Sequence, residues 1–422
     1  MGQQSNRRRV VVTGIGFLTA IGDDIKTLEG NVMDGISGIH QITRFDISGY
    51  PTKVAATIDD FQPQQYFSER ELGRLDRVAQ YAVVAANKAL VDAGLELNGS
   101  AEDRTGVILG TGFGGIETSS QEIGNFYLTG KITPLTIPMA MNNAAAFEVA
   151  TRFSLQGINL TISTACSSSS NAIGLATNAI RSGQLDMVVT GGTDAEIVPG
   201  VFRAWCALRV MSTSNGNPTR ACKPFSKNRD GLVLGEGAGV LICEELEHAL
   251  ERDAPIYGEL VGYGANCDAA HITSPKAEQE AAAIRMALAD AGLTPEEIDY
   301  INAHGTATFL NDKTETQAIK QVFGPRAYQI PINSSKPLLG HAMGASGALE
   351  LIVSFLCMQK GTIHRTINYE VPDEDCDLDY VADRNRPVEI DTFMSNSFGF
   401  GGNNAVLVVK RYERGRSGIS SG

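Results

Sequence analysis

The chain has 422 residues, 43% of them hydrophobic and 20% charged, so it is long enough to bury a large core. Its formal net charge of −13 argues against a nucleic-acid-binding protein, although a local basic patch for an acidic partner is compatible with that charge. The seven cysteines include no C-x-x-C pair, and neither a secretory segment nor an apolar run of about 18 residues occurs. These features predict a soluble cytoplasmic protein with no membrane contact.

Short apolar strands alternate with helices along the first half of the chain. The predicted elements are a strand at residues 9–16, a helix at 80–93, a strand at 107–109, a helix at 171–181 and a strand at 186–192. Gly94 is suited to end the helix at 80–93 as a left-handed cap. This alternation indicates a layered α/β architecture.

A similar order of elements recurs in the second half. The predicted elements are a strand at 259–264, a helix at 278–291, a strand at 299–305 that leads into a histidine turn, a helix at 347–359, a glycine turn at 396–402 and a strand at 405–409. The recurrence favours an internal duplication with its join near residues 253–255. We therefore divide the chain into residues 1–254 and 255–422.

Cys166 lies among small residues in the run TACSSSS at 164–170, after an apolar strand and before a helix. Backbone N–H groups and the dipole at the start of that helix are expected to lower the pKa of the thiol. The small side chains leave space for a substrate. An isolated cysteine is more often structural, so the assignment of Cys166 as an acyl-accepting nucleophile depends on two histidines further along the chain.

His304 and His341 are flanked by glycine, in NAHGTAT at 302–308 and SSKPLLGHAMG at 334–344. Two imidazoles near a carbonyl can donate hydrogen bonds to a developing enolate oxygen. A metal site is the alternative, but the 37-residue separation without H-E-x-x-H or C-x-x-C context does not favour zinc.

Lys336 and Glu315 are candidates for electrostatic support of the histidines, although solvated surface charges would have the same pattern.

Two glycine-rich segments invite a further interpretation. GTGFGG at 110–115 matches G-x-G-x-x-G after a strand, but no acidic residue ends a second strand about 20 residues on, so a tight turn is favoured over a dinucleotide site. NSFGFGG at 396–402 is either a plain turn or a source of a backbone N–H for an oxyanion. Its two phenylalanines, Phe398 and Phe400, lie beside glycines, so one of them is a candidate gate.

Taken together, the cysteine, histidine and phenylalanine motifs resemble the elongating β-ketoacyl-acyl carrier protein synthases. The type II synthase of fatty acid synthesis and the ketosynthase subunits of type II polyketide synthases are the most similar patterns, and the resemblance runs from about Arg9 to Lys410. It implies the α/β thiolase fold, with two duplicated βαβαβαββ halves in a five-layer α-β-α-β-α arrangement. It also implies a decarboxylative Claisen condensation of an acyl chain with malonyl-acyl carrier protein, which gives β-ketoacyl-acyl carrier protein and CO2.

The resemblance assigns catalytic roles by motif match. Cys166 would hold the acyl chain, and His304 and His341 would promote decarboxylation and stabilise the enolate. The N–H groups of Cys166 and Phe400 would form the oxyanion hole. Lys336 and Glu315 would form a supporting ion pair. No metal is expected.

The resemblance also assigns binding roles. The implied residues are Thr306, Thr308 and Thr273 for the phosphopantetheine arm, Leu109 for the pocket floor, Phe398 and Phe400 for the acyl pocket with Phe400 as its gate, and Arg209 for carrier-protein docking. The protein would need no cofactor of its own, because the carrier protein brings the phosphopantetheine arm. Its expected partners are acyl- and malonyl-loaded carrier proteins and a second ketosynthase-like subunit.

Several positions depart from the fatty-acid pattern and leave the pathway open. Ser335 and Leu339 stand where threonines are expected, Pro337 follows the lysine, and Trp205 and Cys206 replace a Phe-Gly pair. The serine run after Cys166 is closer to many polyketide synthases.

Three alternatives remain at this point. A thiolase would use a second, C-terminal cysteine, and residues 396–402 contain none. A non-catalytic partner resembling a chain-length factor would usually lack the nucleophile that this chain retains. The chain would also suit the active half of a heterodimer with such a factor, as an alternative to a homodimer.

Overall fold

A computed structural model describes residues 7–95 and 104–413. Its central feature is a ten-stranded sheet in the order β8-β7-β9-β10-β6-β1-β5-β4-β2-β3. The strands β1 to β10 are Val10–Leu18, Thr105–Gly110, Asn159–Ile162, Met187–Asp194, Gly237–Glu245, Gly258–Cys267, Tyr300–Asn302, Ile332–Asn333, Thr392–Gly399 and Asn403–Lys410. Two small antiparallel sheets pair His40–Gln41 with Val54–Ala55 and Thr362–Ile363 with Arg386–Pro387.

Six helices connect the strands of the large sheet. Numbered α1 to α6, they are Arg77–Asp92, Ala144–Phe153, Ser168–Arg181, Ala277–Ala291, Phe309–Phe323 and Ser346–Lys360. The other α-helices are Ile25–Asp34, Glu69–Leu72, Ile116–Thr129, Thr136–Ala140, Pro199–Leu208, Leu246–Glu251 and Lys336–Leu339. None of the helices described here is long and apolar enough to cross a membrane.

The two halves of the chain repeat one topology. The first runs β1-α1-β2-α2-β3-α3-β4-β5 and the second β6-α4-β7-α5-β8-α6-β9-β10, so both are βαβαβαββ units. In each unit the second strand is parallel to the third and fourth, and the fifth is antiparallel to the fourth and first. The units join where β1 and β6 pair antiparallel at Val11–Glu259 and Val12–Gly258. The predicted duplication is confirmed by this identical strand order.

The helices arrange the sheet into five layers. Helices α3 and α6 pack against each other between the two half-sheets, within a large apolar core. Helices α1 and α2 cover the outer face of the first half-sheet, and α4 and α5 cover the outer face of the second. The middle layer therefore contains one helix from each half, and the site lies where those two helices begin.

The outer helices approach the sheet closely at glycines that occur at equivalent points of the two halves. A Cβ on Gly14 of β1 would lie 2.7 Å from the Ala93 Cβ, and a Cβ on Gly262 of β6 would lie 2.9 Å from the Ala291 Cβ. Neither distance leaves room for a methyl group, because interiors are close-packed. The predicted alanine-rich helices therefore pack directly against glycines in the first strand of each half.

One predicted boundary is wrong. Residues 396–399 were expected in a turn but complete β9, and only Phe400–Gly402 form the turn. The segment 299–305, predicted as a strand that runs into a histidine turn, contains the strand Tyr300–Asn302 followed by that turn. Strand β9 is paired on both sides, by β7 and β10, so its polar residues are held in a strand by neighbours that the local sequence does not reveal.

We expect Gly14→Ala and Gly262→Ala each to destabilise the fold by about 1–3 kcal/mol, because the new methyl groups would overpack a tight helix–sheet contact. Gly30→Ala is the matched control, since Gly30 lies in a helix with nothing within 4 Å of the added Cβ. It should be neutral or stabilising by up to about 1 kcal/mol. Denaturant unfolding measures all three, and an equal loss at Gly30 would contradict the packing argument.

Candidate active site

Cys166 lies in a sharp turn between β3 and α3, two residues before the first residue of α3. Ala165 holds a left-handed φ of 52°, an uncommon conformation for a residue with a side chain. The N–H groups of Ser167 and Ser168 close the turn on the carbonyls of Thr164 and Ala165. The result is a thiol that is 4% exposed and held at the start of a middle-layer helix.

The serines at 167–170 do not line free space, contrary to the sequence-based interpretation. All four are fully buried and hydrogen-bonded. Ser167 and Ser168 stabilise the turn that holds Cys166, and Ser169 and Ser170 bond to residues in the second half of the chain. Their partners, in order, are the Thr164 carbonyl at 2.9 Å, the Ala165 carbonyl at 2.6 Å, the Ala348 N–H at 3.0 Å and the Ser397 hydroxyl at 2.8 Å.

The two histidines meet Cys166 from the other half of the molecule. His341 Nε2 lies 3.1 Å from Cys166 Sγ, and the rings of His304 and His341 are 5.4 Å apart and nearly perpendicular. One ligand-type atom from each of the three residues lies within 4.8 Å of the other two. Residues separated by up to 175 positions are thus brought to one point.

The supporting ion pair differs from the prediction. Lys336 Nζ pairs with Glu350, donates to the His304 carbonyl and lies 3.4 Å from His304 Nδ1. Glu315 instead accepts the N–H groups of His304 and Gly305, both at 2.8 Å. The predicted ion pair between Lys336 and Glu315 is therefore wrong.

The difference follows from helix positions. Glu315 lies on the outer helix α5 and fixes the histidine turn from outside, whereas Glu350 lies on the middle helix α6. Glu350 was missed, although it is the only acidic residue in the mostly apolar helix Ser346–Lys360. A single carboxyl group in such a helix is a usable signal for a buried ionic partner.

Burial keeps the reacting groups neutral at rest. Desolvation and the charge of Lys336 hold the pKa of His304 and His341 well below the usual range. Desolvation raises the pKa of Cys166 to about 12, although the N–H groups of Phe400 and Cys166 and the charge of Lys336 oppose it. The lowered thiol pKa that the sequence suggested is therefore wrong for the resting site, because desolvation outweighs the helix N-terminus. The buried Lys336 charge beside the histidines also disfavours a bound cation.

The backbone around Phe400 completes the site. The N–H groups of Phe400 and Cys166 both approach Cys166 Sγ. Such N–H groups are arranged to bind an oxygen that develops negative charge on a carbonyl attached to that sulfur. Phe400 also contacts Trp205, with ring centroids 5.9 Å apart.

An open cavity leads from the surface to Cys166, His304 and His341. Thr306 and Thr308 line it, with their hydroxyls 2.9 Å apart. The other predicted residues in its lining are Thr273, Phe398, Phe400 and the exposed Arg209.

Leu109 does not line this cavity, contrary to the prediction. It packs in the apolar cluster beneath α1 and α2, while the preceding Ile108 faces the middle layer. Alternation along β2 therefore turns Leu109 away from the site. Trp205, which lines the cavity and contacts Phe113 with ring centroids 6.2 Å apart, was noted only as a departure from the fatty-acid pattern.

The glycine-rich turn at 110–115 binds an anion of the protein itself. The Asp194 carboxylate accepts the N–H groups of Gly112 at 2.8 Å and Phe113 at 3.1 Å, and the hydroxyl of Thr111 at 2.8 Å. It also accepts the N–H of Gly344 at 2.6 Å, three residues after His341. Asp194 thus ties the glycine turn to the histidine turn, a role that the sequence analysis missed.

Comparison with known proteins agrees with this geometry. The profile "Beta-ketoacyl synthase, N-terminal domain" matches residues 7–249, and "Beta-ketoacyl synthase, C-terminal domain" matches residues 257–370. The chain belongs to the β-ketoacyl synthase family. It is therefore an acyltransferase of the condensing-enzyme type with a thiolase fold, as the sequence predicted.

Named relatives of this β-ketoacyl synthase cover nearly its whole length. It is 42% identical to a "3-oxoacyl-[acyl-carrier-protein] synthase 2" of Coxiella burnetii, over 96% of this chain and 99% of the relative. The solved structure of an ishigamide ketosynthase/chain length factor has a TM-score of 0.90 at 36% identity, with 96% and 100% coverage. A type II polyketide acyl-carrier protein in complex with its hexaketide-bound ketosynthase gives a TM-score of 0.89 at 34% identity, with the same coverage.

The corrected ion pair makes a testable prediction. Glu350→Ala should destabilise the protein by about 3–5 kcal/mol, because it leaves a buried ammonium without its carboxylate. In a double-mutant cycle, Lys336→Met and Glu350→Ala should couple more strongly than Lys336→Met and Glu315→Ala. Denaturant unfolding measures both cycles, and the opposite ranking would restore Glu315 as the ionic partner.

Proposed function

We propose that this protein elongates acyl chains by decarboxylative condensation with malonyl-acyl carrier protein, in fatty acid or polyketide synthesis. The observation that carries the proposal is the convergence of one thiol, two neutral imidazoles and two backbone N–H groups at the end of one cavity. The names of the relatives point to the same reaction. The chain is 42% identical to a curated acyl-carrier-protein synthase and 34% identical to a ketosynthase of a type II polyketide complex.

In the first half-reaction, Cys166 Sγ attacks the acyl thioester carried by the phosphopantetheine arm. The Cys166 N–H and the Phe400 N–H stabilise the tetrahedral oxyanion. The carrier's C–S bond then breaks, the acyl group remains on Cys166, and the thiol proton ends on the released carrier thiol.

In the second half-reaction, the C–C bond to the carboxylate of malonyl-carrier protein breaks and CO2 leaves. The electron pair of that bond forms an enolate. Neutral His304 and His341 donate hydrogen bonds to the enolate oxygen. The enolate carbon attacks the Cys166 thioester, the C–S bond to Cys166 breaks, and β-ketoacyl-carrier protein is released. The Cys166 thiolate then takes up one proton from solvent, which restores the resting thiol. Lys336 pairs with Glu350 and contacts the His304 ring. Its positive charge disfavours protonation of that imidazole.

The cavity wall suits the arm of a carrier protein. Thr306, Thr308 and Thr273 offer hydroxyls along it, and Arg209 is our candidate for docking an acidic carrier.

We propose that no metal and no cofactor of the enzyme's own takes part. A cytoplasmic location fits seven free cysteines, which a reducing compartment maintains.

A homodimer is the assembly that we favour. The helix Ile116–Thr129 exposes Tyr127 by 82% and Leu128 by 85%, and the edge strand β3 exposes Leu160. Apolar patches and unpaired strand edges of this kind are usually covered by a partner. A heterodimer with a chain-length factor remains the alternative, since one of the similar structures has that composition.

The half-reactions test the chemistry. Cys166→Ala should show no mass gain with any acyl-carrier protein in intact-mass spectrometry, because the acceptor sulfur is absent. Cys267→Ala, which removes an exposed thiol, should acylate normally. His304→Ala and His341→Ala should slow decarboxylation more than acylation, by about 10²-fold or more for the loss of one oxyanion donor. Condensation by Cys166→Ala would overturn the nucleophile assignment.

The assembly can be tested by light scattering. The protein purified alone should have twice its chain mass of 45.0 kDa, and Leu128→Glu should convert it to a monomer. Val91→Glu is the control, because Val91 is 68% exposed on α1, an element that is not part of the proposed interface. An inactive monomer in the wild type would favour the heterodimer instead.

A further inference from the structure

A serine hydroxyl contacts the ring of His341 on the side away from Cys166. Ser346 Oγ lies 2.9 Å from His341 Nδ1, while His341 Nε2 faces Cys166 Sγ. Ser346 is the first residue of α6 and is 3% exposed. No local motif distinguishes Ser346 in the sequence.

The position of Ser346 relative to His341 is fixed by the backbone. Residues Met343–Ala345 form a 3₁₀ turn that runs directly into α6, and the Ser346 N–H bonds to the Met343 carbonyl. Asp194 holds the Gly344 N–H within the same turn. The hydroxyl therefore reaches Nδ1 from a rigid support.

The direction of this hydrogen bond follows from counting protons. The His341 ring is neutral because burial and Lys336 hold its pKa low, so it carries one N–H. Among the described residues, Ser346 Oγ has His341 Nδ1 as its one hydrogen-bond partner. If Nδ1 carried the proton, the buried hydroxyl hydrogen would have no acceptor, which is costly. If the hydroxyl donates to Nδ1, both groups are satisfied and the ring proton lies on Nε2.

We propose that Ser346 is a positioning residue that holds His341 in the Nε2–H tautomer. His341 then enters the second half-reaction as a hydrogen-bond donor toward the enolate oxygen, and not as a base toward the Cys166 thiol. The inference rests on the proposed function for its catalytic consequence, whereas the tautomer itself is a property of the resting protein.

The two imidazoles are thus oriented by different means. Lys336 Nζ is only a donor, so its contact with His304 requires an unprotonated Nδ1 and places the His304 proton on Nε2. Ser346 has the same effect on His341 with a neutral hydroxyl. A charge therefore orients one ring, and a group that can either donate or accept orients the other.

Three variants separate this role from a merely structural one. Ser346→Ala removes the hydroxyl, and Ser346→Thr retains it. Ser354→Ala is the matched control, because Ser354 is a buried serine of the same helix whose hydroxyl bonds to the Glu350 carbonyl. Thermal melting of each variant verifies that the fold is intact.

The kinetic readout is the ratio of the two half-reactions. We expect Ser346→Ala to slow malonyl-carrier decarboxylation by about tenfold, the loss of roughly one hydrogen bond, with acylation of Cys166 changed less than about twofold. Ser346→Thr should recover most of that loss, and Ser354→Ala should leave the ratio unchanged. A Ser346→Ala enzyme with wild-type decarboxylation, or with equal loss in both half-reactions, would overturn the proposal.

A direct readout does not depend on turnover. In ¹⁵N NMR of histidine-labelled protein, with the His341 signals assigned by their absence in His341→Gln, the wild type should show a protonated Nε2 and an unprotonated Nδ1. A protonated Nδ1 would overturn the proposal even if the enzyme condenses normally. Failure of the wild type to acylate or decarboxylate, with the expected tautomer present, would instead count against the proposed function.

Discussion

The contact between the starts of the two middle helices is the constraint on which the site depends. Ser169 accepts the N–H of Ala348, and a Cβ on Gly347 would overlap the hydroxyl of Ser170. These contacts allow α3 and α6 to begin side by side. Since Cys166 precedes one helix and His341 precedes the other, the contact brings the thiol and the imidazole together from different halves. The N-terminus of α3 lies beside Cys166 and favours a negative charge there.

The thiol and both imidazoles are buried, and the charged groups of the site lie around His304. Lys336 and Glu350 form a buried pair behind His304, and Glu315 holds the backbone of that histidine. Because the thiol and both imidazoles are neutral at rest, the donors act on charge that appears only during reaction. Fixed donors in a buried site stabilise such charge without reorganising, which is an efficient form of catalysis.

The duplicated fold is used asymmetrically. Both halves have one strand order and seat an alanine-rich helix on glycines of their first strand. The equivalent helix starts nevertheless carry different groups, a thiol in the first half and a histidine–serine pair in the second. Asp194 links the halves again by binding the glycine turn of the first and the Gly344 N–H of the second. One framework thus supplies two complementary sides of a single cavity.

The sequence by itself determined the α/β alternation and the duplicated order of elements, and it singled out Cys166, His304 and His341 as candidate reacting residues, because periodicity and motifs are local. It did not determine the partner of Lys336, the direction of Leu109 or the hydrogen bonds of the serine run. Those depend on which helix lies in the middle layer and which face of β2 points inward. The local sequence around Lys336 is the same whether its ionic partner is Glu315 or Glu350. Only the packing of α5 outside and α6 inside decides between them.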